Sequence, residues 1–268
     1  MAISTLDGLL AGMQHPVSIL KVGTTMEAIG VLHSLAYATG NPGAMVAPSP
    51  GVNGAALTTY AGQILRSNPG TGNAYLARLE AAASVAGTLI LADRLWHNSG
   101  LVVTTTTAQA ITTPAWPARD RDGTANGSMV MVGIEVSTAT TNAGAIANTT
   151  MSYTNQDGTA GRTATIASFP ATAVAGTFVP FQLQAGDTGV RSIQSVTLGT
   201  SYAAGAIHIV AYRILARLGL PVANVAGSID GITGGLPRIY NDTVPWLLWQ
   251  PTATTAITLN ATYAESHG

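Results

Sequence analysis

The chain has 268 residues, enough for one large domain or two. Apolar residues make up 47 % of it and charged residues only 9 %, against roughly 25 % in ordinary soluble proteins; this favours a folded chain over a disordered one and an exterior covered by other subunits. With 11 basic and 12 acidic residues the net charge is -1, no basic run exists and Lys21 is the one lysine, which argues against a phosphate-tracking nucleic-acid surface, while the absence of cysteine excludes disulfides and thiolate metal sites.

Residues 4–13 read as a short helix, with Ser4 as its cap, Asp7 in the first turn and Leu6, Leu9, Leu10 and Met13 on one stripe. A second helix is expected over residues 25–38, where Met26, Ile29, Leu32 and Tyr37 recur at helical spacing before the stop signal Gly40-Asn-Pro-Gly43. The two prolines of residues 45–53 make that stretch a loop, and residues 55–66 are expected to form another short helix. The strongest helical expectation falls on residues 73–98, where Leu76, Leu79, Ala83, Ala86 and Ile90 follow a 3-4-3-4 spacing and Tyr75, Ala82, Leu89 and Trp96 widen the apolar face.

From Leu101 the pattern changes. Leu101-Val-Val-Thr-Thr-Thr-Thr107 is β-rich, and residues 114–123 are a connecting loop. Strands are predicted over residues 128–137, 147–155, 162–169, 176–183, 192–199 and 206–216. After a glycine-bearing loop at 221–240, two more follow at 244–250 and 255–264. The clearest unit is a hairpin: Thr149, Met151 and Tyr153 share one face of the first run, and Asp157-Gly158 supplies the turn. In the last strand Ile257, Leu259, Ala261 and Tyr263 face inward. The expected architecture is mainly β, an antiparallel two-sheet sandwich of jelly-roll type over residues 101–268, preceded by an N-terminal α-helical segment over residues 1–100.

Catalytic patterns are missing. Ala47-Pro-Ser-Pro-Gly51 is the nearest approach to a nucleophile elbow, and its prolines deny it the strand-to-helix context. No Gly-Lys pair exists for a phosphate loop, and the five histidines (His15, His33, His97, His208, His267) contain no i, i+4 pair. Asp120-Arg-Asp122-Gly123 with Asn126 slightly resembles a calcium loop but lacks its terminal glutamate, so turn chemistry explains the aspartates better. Glu135 in a strand calls for a buried partner such as an arginine rather than a glycosidase role. Of Trp96, Trp116, Trp246 and Trp249, the last two are three apart in one strand, so at least one belongs to the core, which weakens a sugar-stacking reading. The reading is therefore non-enzymatic, with no cofactor and no metal. The first residues lack the charged and apolar regions of a secretion signal, and residues 81–92 are too short to cross a bilayer. A non-membrane protein made in the cytoplasm is expected.

Three stretches carry a resemblance: Asp93-Arg-Leu-Trp-His-Asn-Ser-Gly100 with the Thr104–Thr107 tract, Tyr153-Thr-Asn-Gln-Asp-Gly-Thr-Ala-Gly-Arg162, and Gly235-Leu-Pro-Arg-Ile-Tyr240 before Pro245-Trp-Leu-Leu-Trp249. Over residues 70–265 the chain resembles uncharacterised virion structural proteins of tailed bacteriophages and related prophages. That resemblance implies a β-sandwich, a location in the virion and no catalytic residues. A minor capsid or cement (decoration) protein is the first expectation, a neck or tail component the next, and a carbohydrate-binding adhesion module the alternative of another class. Its partners would be further copies of itself, with a trimer as the expected oligomer, and other virion proteins such as the major capsid protein, without nucleic acid or membrane. Trp96, Trp116, Arg119 and Arg238 are the candidate assembly anchors, because aromatic and arginine side chains concentrate interface energy. An equal alternative is that Trp96 packs within its own fold.

Overall fold

A computed structural model of the protein describes Ile3 and residues 5–268. It is mainly β, 45 % strand and 3 % helix, built from several antiparallel sheets with one short helix near the N-terminus. That helix is α1 (Leu6–Ala11), and Thr5 caps it, its hydroxyl accepting from the Gly8 N–H at 3.0 Å; Ser4, the expected cap, lies outside the described residues. The strands in chain order are β1 (Val17–Val22), β2 (Leu32–Ser34), β3 (Thr39–Asn41), β4 (Ala55–Ala56), β5 (Ala74–Ala83), β6 (Gly87–His97), β7 (Gln109–Ala110), β8 (Met131–Thr141) and β9 (Ile146–Asn155). They continue with β10 (Arg162–Phe169), β11 (Thr177–Pro180), β12 (Val190–Thr197), β13 (Ala204–Leu220), β14 (Gly227–Asp230), β15 (Arg238–Ile239), β16 (Pro245–Pro251) and β17 (Thr258–His267).

The chain forms two compact units rather than dividing at residue 100: one holds residues 1–46, 59–93 and 214–268, the other residues 47–58 and 94–213. In the first, a sheet runs in the order β14-β5-β17-β1-β3, with β15 also pairing β5. Residues 87–93 of β6 pair with β16, which also pairs β2. The inward side chains Ile19, Leu79, Ala81, Leu259 and Tyr263 meet Leu89, Leu91, Leu247 and Trp249 in one buried cluster. In the second unit the sheet order is β10-β9-β12-β7, and β8 pairs with β11 and with residues 204–212 of β13. Met151, Tyr153, Ile166, Ile193 and Val196 pack there against Val132, Ile134, Val136, Ile207 and Ile209. Sheet faces packing on sheet faces are the sandwich principle, since each half-apolar sheet must bury one side.

The alternating segments fold as their pattern dictates. β10 pairs with β9 in register from Arg162↔Tyr153 to Phe169↔Ile146. The intervening turn is held by the Asn155 side-chain oxygen, which accepts from the Asp157 and Thr159 N–H groups, and Gly158 takes the positive φ of 83° that the turn needs. Thr149, Met151 and Tyr153 are buried as expected, as are Leu259, Ala261 and Tyr263 in β17 and Ile257 just before it.

The helical expectations beyond α1 do not hold. Residues 73–98 are two strands. In β5 the buried positions run 74, 76 and 77, then 79, 81 and 83. A register shift opposite, between Ala264 and Glu265, inserts one residue into the alternation. That bulge turns a period of two into the Leu76–Leu79–Ala83 spacing of a helix. β6 is buried on both faces, so it has no periodicity to read. Residues 25–38 hold a turn with Gly30 at φ 81°, then β2 and a single 3-10 turn (Leu35–Tyr37). Of residues 55–66 only Ala55–Ala56 is regular structure, a strand. Residues 101–107 form no strand either: the Gln109 side chain takes both backbone groups of Val102, at 2.7 and 2.9 Å, in place of a neighbouring strand. The expected loop at 221–240 contains β14 and β15, both seated on β5.

Candidate functional site

Three of the four expected assembly anchors lie inside the second unit. Trp96 and Trp116 are buried, their rings 5.6 Å apart and tilted by 57°. Each indole N–H is occupied, Trp96 on the Asn53 carbonyl at 3.2 Å and Trp116 on the Val190 carbonyl at 2.6 Å. Arg119 is 3 % exposed and donates to the Leu57 carbonyl at 2.9 Å. A side chain whose surface is already spent in its own core has none to offer a partner, so these residues hold the unit together. Arg238 alone is exposed; it stacks 4.7 Å over the Tyr240 ring and donates to the Asn73 side chain in the first unit. Trp246 and Trp249 are buried as well, which leaves no exposed tryptophan for a sugar to stack on.

The charged side chains are used inward. Glu135 has the expected arginine: Arg94 meets it with two parallel bonds of 2.9 and 2.7 Å, both side chains being at most 1 % exposed. Arg94 Nε also donates to His97 Nδ1 at 3.1 Å. Because that nitrogen must accept, His97 is neutral; burial, with Arg94 and His208 adding to it, pulls its pKa down to about 2. His208 lies between the Asn98 carbonyl at 2.9 Å and the Ser137 hydroxyl at 2.6 Å. Burial lowers its pKa too, against the Glu135 charge. A serine touching a histidine nitrogen has the outline of a nucleophile and base. Here the imidazole is 4 % exposed in a sheet interior, which leaves a substrate no approach.

Asp120 shows why the calcium resemblance fails to make a site. Its carboxylate accepts from the N–H groups of Asp122, Thr124, Gly127 and Ser128 and from the Thr124 hydroxyl, all between 2.7 and 3.1 Å. The lone pairs that a cation would need already close the loop. Asp187 does similar work at the end of the β9–β10 hairpin, receiving Arg162, Tyr153 and Asn155. The Arg162 hydrogen bonds hold its pKa at about 2.

In the first unit a small pocket of about 80 Å³ is lined by His15, Leu65, Arg66, Tyr263, Glu265 and His267, among others. Glu265 takes Arg66 Nε at 2.7 Å and Nη2 at 3.1 Å, His267 Nε2 at 3.0 Å and the Tyr263 hydroxyl. Burial opposes the Arg66 charge and Glu265 more than offsets it, raising the pKa; burial and Glu265 together push Tyr263 well up. The carboxylate is fully engaged by its neighbours. Lys21, missed as a feature of interest in the sequence, is 3 % exposed with its ammonium on the carbonyls of Ala38, Pro42 and Gly43 at 2.8–3.2 Å, and burial lowers its pKa to about 8.

Among the described residues no group of three or more histidines and carboxylates has the geometry to hold a metal, and no helix is long and apolar enough to cross a membrane. Eight of the 23 charged side chains (11 basic, 12 acidic) are buried: Lys21, Asp93, Arg94, Arg119, Asp120, Glu135, Arg213 and Glu265. The exterior is left with fifteen of the 23. It instead presents large apolar side chains, Leu6, Leu10, Ile29, Val46, Leu65 and Ile232 each being more than half exposed. Fold and surface together define a charge-poor antiparallel β-protein whose conspicuous features are surfaces rather than a cleft.

No protein-family model matches the sequence, and no curated protein is similar to it in sequence. Among solved structures, one titled as infectious bursal disease virus, Gt strain, is 14 % identical with a TM-score of 0.20, over 96 % of this chain and 81 % of that one. A VP2 subviral particle of infectious bursal disease virus is 11 % identical with a TM-score of 0.20, over the same shares. TM-scores this low do not establish a common fold.

Proposed function

We propose that this chain is a structural protein of a bacteriophage virion, a minor capsid or cement protein that works by protein–protein assembly and carries out no catalysis. One observation carries the proposal: the exterior is poor in charge and studded with exposed Leu, Ile and Val, while a third of the few charges are turned inward. An exterior of this kind is poorly suited to a dispersed monomer and well suited to one covered by neighbours. The near-zero net charge fits protein contacts rather than contact with packaged nucleic acid. The fold adds rigid antiparallel sheets, with side chains that pair internally instead of converging on a substrate. Partners in this reading are other copies of the chain and the shell or tail proteins beside it, and its place is the virion.

The test is immunoelectron microscopy with antibodies raised against the purified chain, on phage particles released from the host that carries the sequence. Regular decoration of the capsid supports the cement role; decoration at the neck or tail moves the protein there. Particles free of the chain, by labelling and by mass spectrometry, would refute a virion role. A glycan array run beside it addresses the adhesion alternative, which has lost its exposed tryptophans.

A further inference from the structure

Six peptide links in the chain join asparagine or aspartate to glycine: Asp7-Gly8, Asn53-Gly54, Asp122-Gly123, Asn126-Gly127, Asp157-Gly158 and Asp230-Gly231. Links of this kind are prone to attack by the backbone on the side chain, because glycine has no Cβ to keep its nitrogen away. At Asn-Gly the glycine nitrogen gives its proton to solvent and attacks the asparagine Cγ. A C–N bond closes a five-membered succinimide while the Cγ–Nδ2 bond breaks, and Nδ2 takes up a proton and leaves as ammonia. Water then opens the ring to aspartate or isoaspartate. The first step needs a glycine N–H that is free to ionise. Here all six are engaged: Gly8 on the Thr5 hydroxyl, Gly54, Gly123, Gly158 and Gly231 on the carbonyls of Gly51, Asp120, Asn155 and Ala77, and Gly127 on Asp120 Oδ2 at 3.0 Å. Gly127 alone among them donates to a carboxylate.

We infer that Asn126-Gly127 is a latent deamidation site and that Asp120 is the positioning residue that keeps it shut. The Asn126 side chain is exposed and makes no hydrogen bond among the described residues, so the electrophile is open to attack. Asn53, the other asparagine of this kind, has its Oδ1 held by the Thr112 N–H at 2.9 Å. Protection at Asn126 therefore rests on the nucleophile. Gly127 is buried, and an ionising nitrogen there would place a second negative charge against the Asp120 carboxylate. A hydrogen bond to a charged acceptor is also stronger than one to a carbonyl, which makes opening of this amide rarer. The same carboxylate takes the N–H groups of Thr124 and Ser128, so the chain is pinned on both sides of the link. Deamidation would put a new carboxylate on a charge-poor exterior, and isoaspartate would add one carbon to the backbone of the loop. The five donors gathered on Asp120 thus acquire a chemical consequence that neither calcium binding nor assembly provides.

The experiment ages the whole chain in mildly alkaline buffer, folded and in urea, and follows conversion of amide to acid at Asn126 and Asn53 by peptide mass spectrometry. Wild type, Asp120→Ala and Asp120→Asn are compared; the last keeps an acceptor oxygen and removes the charge, and circular dichroism checks the fold of each. Asn53 lies in the same unit with its glycine amide on a carbonyl, so it reports loss of the unit's fold. The inference expects Asn126 of the folded wild type to deamidate on the order of tenfold or more slowly than in urea. Asp120→Ala should bring Asn126 towards the urea rate while Asn53 stays slow, with Asp120→Asn in between. A folded wild type that deamidates at Asn126 as fast as the unfolded chain would overturn the inference. Folded variants in which Asn126 stays slow would overturn the role of Asp120. Equal acceleration at Asn126 and Asn53 in both variants would assign the effect to the stability of the unit and overturn the local lock.

Discussion

Acid should weaken the second unit through His97. The imidazole is 2 % exposed, accepts from Arg94 and is held neutral down to a pKa of about 2, against 6.5 for an unperturbed histidine. Between those values the unfolded chain binds a proton that the folded chain refuses. The contribution is therefore complete above pH 6.5 and is lost progressively as pH falls from there towards 2. Each pH unit in that window costs about 1.4 kcal/mol, so His97 alone removes about 2 kcal/mol at pH 5. His208, shifted in the same direction by burial, adds to the loss. Urea unfolding at pH 8, 7, 6 and 5, followed by tryptophan fluorescence, reads the effect, since Trp96 and Trp116 are both in this unit's core. The control is His97→Gln, which keeps an acceptor for Arg94 and removes the titration. A midpoint that does not move between pH 8 and 5, or that moves equally in His97→Gln, would show that the buried imidazole is not the cause.

Three further outcomes are expected. Glu135→Ala strands the buried Arg94 guanidinium and should cost about 3–5 kcal/mol in denaturant unfolding, whereas the double change Arg94→Met, Glu135→Leu should recover most of that, because an apolar pair leaves no unpaired charge. Asp120→Ala releases five donors and should destabilise the unit by about 3 kcal/mol, read as a lower Tm, while adding calcium to the wild type should leave its Tm unchanged because the carboxylate's lone pairs are occupied. Lys21 is the one lysine in the chain and is 3 % exposed, so an amine-directed ester should label it far more slowly in the folded protein than in urea, by peptide mass spectrometry; equal rates would place the ammonium at the surface.

Where a strand has one face in the core and one in water, its sequence announces it. The β9–β10 hairpin and β17 were legible for that reason, alternation and an Asp-Gly turn being local properties. β13 falls on the strand predicted over residues 206–216 and extends it to Leu220. The first hundred residues misled because two different effects imitate a helix: a one-residue bulge in β5 converts alternation into a 3-4 spacing, and burial of β6 on both faces erases alternation altogether. Ala82 and Ala83, placed on the apolar face of the expected helix, lie instead in β5. For the candidate site, the partner of Glu135 was legible, since a buried carboxylate needs a cation. The anchors were not, because residue type alone cannot distinguish a tryptophan that closes its own core from one that awaits another chain.

The central claim is that this exterior is made to be covered by other protein. Light scattering of the purified wild-type chain, recorded across a wide range of concentration at neutral pH, meets it most directly. The account predicts a mass that climbs with concentration to a multiple of the 27.2 kDa chain. A mass that stays at 27.2 kDa up to the solubility limit, in a protein that remains clear and well dispersed, would contradict it.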